Sequence, residues 1–83
     1  MIKKAKVGDR VRVTEKRYWN ESKSFKDGEL VGFWPKSAKT GVVVSVWGNS
    51  RRYINVHPDD PLGVGSVSFR PSELERIKDG QGE

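Results

Sequence analysis

"GSVSFRPSELERI", residues 65–77, decides how this chain folds. Period-two alternation turns Val67 and Phe69 toward a core and leaves Ser66, Ser68 and Arg70 on the opposite face. "PSEL" reads as a single helical turn, and "LERI" (74–77) as a last short strand with Leu74 and Ile77 inward. The outward Ser66, Ser68 and Arg70 are either plain surface or the floor of a site, depending on what stands around them.

Upstream, "RYINVH" alternates Ile54 and Val56 against Tyr53, Asn55 and His57. "GVVVSVW" (41–47) is the most β-prone stretch, with Val42, Val44 and Val46 expected inward and Val43, Ser45 and Trp47 outward. The Gly-Asn signal in "WGNSRR" joins these two strands as a hairpin. "KVGDRVRV" (6–13) adds a first strand, with Val11 and Val13 inward and Arg10 and Arg12 outward. No stretch carries a capped helical period. Residues 14–40 are a long polar excursion seeded with Tyr18, Trp19, Phe25, Phe33 and Trp34, too aromatic for simple disorder. It is expected to fold over one end of the domain, with room for a small hairpin at "DGELVGFW".

One strand, a long excursion, three close strands, a one-turn helix and a terminal strand is the order of an SH3-like barrel. The expected fold is therefore all-β: a small five-stranded SH3-like barrel over residues 1–78, with a long loop (14–40) after the first strand and a flexible tail at 79–83. A chain of 83 residues makes one domain. It has no cysteine, which excludes disulfides, thiolate chemistry and Cys-based metal sites. No apolar run approaches the roughly 18 residues of a membrane helix and no signal peptide opens the chain, so a cytoplasmic protein with no membrane partner is expected. The net charge is +5, and residues 1–20 alone hold seven basic and two acidic side chains. Such an arm attracts polyanions or acidic protein surfaces.

"VGDRVR", "GVVVSVW" and "GSVSFRPSELERI" together resemble the plasmid-type (type II) dihydrofolate reductases, SH3-like barrels that assemble as tetramers around a central pore. In that family the pore strand reads Val-Gln-Ile-Tyr. Here Val67 agrees, Phe69 replaces the isoleucine, Ser68 stands at the ligand-gripping glutamine, Arg70 at the tyrosine, and Val13 at the pore lysine. The resemblance implies a shared scaffold; the changed polar positions imply that NADPH-dependent folate reduction is not. More loosely, the chain is similar to the variable chain of ferredoxin-thioredoxin reductase and to a small stromal subunit of photosystem I, which implies docking of an acidic protein. Similar barrels occur as monomers, heterodimers and homo-oligomers, so the assembly state stays open.

Three constellations carry chemistry. "EKRYWN" and "GFWPK" set aromatics beside Lys16, Arg17 and Lys36, the combination that single-stranded nucleic acid requires: cations for phosphates, rings for bases. The same residues also suit a protein partner, or simply pack the excursion onto the barrel. "WGNSRRY" presents Arg51 and Arg52 at a hairpin tip beside the outward Trp47 and Tyr53. "HPDD" (57–60) holds one His and two Asp, but its Pro-rich setting makes turn formers of Asp59 and Asp60 rather than metal ligands. No catalytic set, metal site or cofactor motif emerges. The expected function is a non-catalytic binding module whose face (Lys16, Arg17, Trp19, Trp34, Lys36, Trp47, Arg51, Arg52, Tyr53, Ser68 and Arg70) contacts nucleic acid; the alternatives are an adaptor docking an acidic protein and a diverged type II dihydrofolate reductase-like oligomer.

Overall fold

The computed structural model describes residues 2–27, 30–36, 38–49 and 52–77; the expected tail at 79–83 and Arg51 lie outside them. The protein is all-β. Its elements are β1 (Arg10–Val13), the one-turn helix α1 (Arg17–Asn20), β2 (Lys23–Asp27), β3 (Leu30–Trp34), β4 (Thr40–Trp47), β5 (Tyr53–Pro58) and β6 (Val67–Phe69). A 3-10 turn (Pro71–Glu73) and β7 (Leu74–Arg76) follow. Five strands form one antiparallel sheet in the order β6-β5-β4-β1-β7, and β2-β3 form a separate hairpin. The large sheet is open, with β6 and β7 as its edges.

The core follows the alternation in β1, β5 and β6, where Val11, Val13, Ile54, Val56, Val67 and Phe69 are buried, and β7 adds Leu74. Strand β4 departs from it. Val43 pairs with Val56 and Ser45 with Asn55, so Val44 is an extra residue opposite no partner. This one-residue bulge reverses the phase of the strand. Val43 is therefore fully buried, Val44 is exposed, and Val42 is only half-buried, against the inward assignment of Val42 and Val44. Beyond the bulge Val46 packs against the core and Trp47 faces out. Ile77, past the end of β7, is half-buried.

The excursion supplies the largest core residue. Trp34 is fully buried, edge-on to Phe69 at 5.1 Å and 77°. Its indole N–H donates to the Ala38 carbonyl at 2.8 Å, giving a buried polar group its partner. The hairpin reaches this position by running very close to the segment before β6. Phe33 and Val64 exchange backbone hydrogen bonds at 2.8 and 3.2 Å. A Cβ on Gly32 would stand 1.9 Å from the Ser66 carbonyl oxygen, so only glycine fits there. At the other end Ile2 is buried and its N–H donates to the Pro71 carbonyl. Arg76 ties the N-terminal arm down, donating to the carbonyls of Lys3 and Lys4 and pairing with Asp9.

Candidate nucleic-acid interface

Three cross-strand neighbours make the first part of the site. Ser45 pairs with Asn55, and Asn55 with Ser68, so the three side chains form a row across β4, β5 and β6 on the outer face. Trp47 and Tyr53 form the next pair along, their rings stacked at 4.4 Å and 22°. Trp47 is 48% exposed. The turn behind them depends on Gly48, at φ +86, where a Cβ would lie 2.7 Å from the Tyr53 ring. The row is hydrogen-bonded throughout: Trp47 Nε1 donates to Asn55 Oδ1 (3.1 Å), Asn55 Nδ2 to Ser45 Oγ (2.8 Å), and Ser68 Oγ to Asn55 Oδ1 (2.5 Å).

Beside this row a cleft of about 530 Å³ opens between α1, the start of β2, β6 and the 3-10 turn. Tyr53 and Ser68 line it, and so do the cations Arg17, Lys23 and Arg70. Tyr18 packs edge-on to Phe69 at 5.5 Å and 77°, making an aromatic wall. Lys23 Nζ lies over both rings, 4.4 Å from Phe69 and 4.9 Å from Tyr18, and donates to the Ser68 carbonyl at 2.5 Å. Burial pushes the Lys23 ammonium below its usual range; Glu73 opposes this, while Arg17 and Arg70 add to it. Burial, then Glu73, pushes the Tyr18 phenol up.

Two carboxylates, Glu15 and Glu73, also line the cleft. Glu73 is engaged internally: it accepts the Arg70 backbone N–H at 2.8 Å and stands 3.8 Å from the Arg17 guanidinium. Arg17 also donates to the Tyr18 hydroxyl and lies over its ring. The Arg70 guanidinium is exposed and makes no ion pair among the described residues. This cleft offers the cations Arg17, Lys23 and Arg70, the Tyr53 ring and hydrogen-bonding groups.

Arg17, Tyr53, Ser68 and Arg70 thus come together, with Trp47 stacked on Tyr53 and exposed Arg52 next to it in sequence. Trp34 does not join them, because its indole fills the core. Trp19 is half-buried; its N–H donates to the Val13 carbonyl, and Lys39 lies over its ring. Lys16 and Lys36 are exposed and stand outside the cleft lining. Asp59 of the "HPDD" stretch holds Arg10 and Thr40, and His57 Nδ1 lies 2.6 Å from the Gly65 carbonyl oxygen. Tyr18, Lys23 and Asn55 are additions. Asn55 had a signal, since it shares outward parity with Tyr53; Lys23 had none, because its placement depends on how the hairpin docks. No protein-family model, curated protein or solved structure matches the chain.

Proposed function

We propose that this protein is a non-catalytic SH3-like module that binds single-stranded nucleic acid in the cleft of Arg17, Lys23, Arg70 and Tyr53. The observation that carries the reading is the convergence of an exposed Trp47–Tyr53 stack with three cations beside one open cleft. Cations alone suit any polyanion. Ring faces within the same site suit bases, each stacked base adding about 1–3 kcal/mol. The ammonium and guanidinium groups lie over rings or at the cleft rim, positioned for phosphates rather than for proton transfer.

The barrel half of the proposal rests on reach. In a flat sheet the edge strands β6 and β7 would stand roughly 19 Å apart. Residues 70–73 join them through a 3-10 turn, which advances only about 2 Å per residue. So short a link favours a sheet curled until its edges nearly meet, with Trp34 filling the space enclosed.

The test is titration with single- and double-stranded 12-mers at physiological salt, followed by tryptophan fluorescence. Stacking on Trp47 quenches part of the emission and leaves buried Trp34 unaffected. Absence of any binding tighter than about 100 µM, the weak end of ordinary non-specific affinity, overturns the reading; capture of an acidic protein instead replaces it.

A further inference from the structure

The proton arrangement of the Trp47–Asn55–Ser68 row is fixed by the covalent chemistry of its members. An indole N–H only donates, so the Asn55 atom 3.1 Å from Trp47 Nε1 is the amide oxygen. The Asn55 amide therefore cannot flip without losing that bond. Its oxygen only accepts, so the Ser68 hydroxyl 2.5 Å away donates its single proton to it. Both lone-pair positions of the Asn55 oxygen are then filled. On the other side the Asn55 N–H₂ donates to Ser45 Oγ.

One consequence reaches the cleft. Ser68 is half-buried, lines the cleft and has its proton committed to Asn55 along the row. What its hydroxyl presents to a ligand is lone pairs. A serine normally matches either partner by rotating its proton; this one is held as an acceptor by an indole on another strand. We infer that Ser68 is a specificity-determining residue that selects bases carrying an exocyclic amine over those carrying a carbonyl at the same position, with Trp47 and Asn55 as the positioning residues that set its polarity. This rests on the nucleic-acid reading above. The relevant bases are cytosine, with a 4-amino group, and adenine, with a 6-amino group; uracil and thymine oppose an oxygen to an oxygen.

The clean comparison is cytosine against uracil, two pyrimidines of nearly equal size that differ at this group. Fluorescence anisotropy with end-labelled dC and dU 12-mers is expected to give tighter binding of the cytosine strand by roughly 3- to 10-fold, the range of one hydrogen bond made or left unmade. In W47F the ring remains but the N–H is gone, so Asn55 is free to flip and Ser68 to rotate. That variant binds both strands, more weakly, with the ratio falling to about one. Ser68→Ala removes the acceptor and brings the ratio to about one by a separate route. Equal affinities in the wild type, a preference for uracil, or a ratio that survives both substitutions overturns the inference while leaving the binding module intact. Failure of both strands to bind overturns the binding reading and the inference with it.

Discussion

Two tryptophans of this chain do opposite things with the same side chain. Trp34, at the end of β3, is fully buried, packs against Phe69 and gives its N–H to a backbone carbonyl. Trp47, at the end of β4, is half in solvent, stacks on Tyr53 and gives its N–H to a side-chain amide. One indole joins the hairpin to the large sheet; the other organises a polar surface. The difference lies in what faces each strand end. β3 runs against the segment before β6 and across the core, whereas the end of β4 pairs with Tyr53 on the outer face of its own hairpin.

Truncating each ring in turn tests whether the two indoles divide their roles in this way. Trp34→Ala is expected to cost about 3–5 kcal/mol, because a large cavity opens and the Ala38 carbonyl loses its donor. In a domain of this size that is a large part of the total stability. Urea denaturation followed by circular dichroism measures it, and a loss below 1 kcal/mol would contradict the packing described. Gly32→Ala attacks the same region through the backbone, since the new methyl meets the Ser66 carbonyl oxygen. About 2 kcal/mol is expected from the forced shift of the hairpin.

Trp47→Ala should sharpen the contrast from the other side. Its unfolding midpoint in urea is expected to move little, while affinity for a single-stranded 12-mer falls by about tenfold, in line with one lost stacking platform. A variant that loses stability as Trp34→Ala does would show that the Trp47–Tyr53 stack is structural. Retained affinity would remove Trp47 from the interface.

Little in the sequence separates these two residues. The alternation of β1, β5 and β6 is legible because each strand has a dry face and a wet one, and the outward set Tyr53, Asn55 and Ser68 follows from it. Both phases of β4 read as valine, however, so no hydrophobic contrast marked the bulge at Val44. "GFWPK" reads equally as a binding platform or as packing for the excursion, because it has cations beside its rings just as Trp47 does. What decides Trp34 is the close approach of Gly32 to Ser66, a contact between segments more than thirty residues apart. Local pattern carries the strands; docking of the excursion, and with it Lys23 and half of the cleft, is set by tertiary contacts that no short window contains.

Lys23 spans the two regions, and it gives the smallest expected effect. Its backbone pairs with Trp34 across the hairpin, while its ammonium sits in the cleft over Phe69 and Tyr18. Its folded pKa lies below the unfolded value of 10.5. Between the two values the unfolded chain holds more protons, so stability rises with pH through this window and levels off above 10.5. Tyr18 contributes the opposite slope above its unfolded value of 10.0, because its folded pKa is raised. The difference in stability between wild type and Lys23→Met cancels most of the Tyr18 part and should climb as pH approaches 10.5. A flat or falling difference would mean that the ammonium is better solvated than its place over the rings implies. A phosphate docked in the cleft should reverse the depression, since a neighbouring anion favours the charged amine. Oligonucleotide binding in mildly alkaline buffer is therefore expected to take up protons, with the uptake abolished in Lys23→Met, as calorimetry in two buffers of different ionisation heat would read.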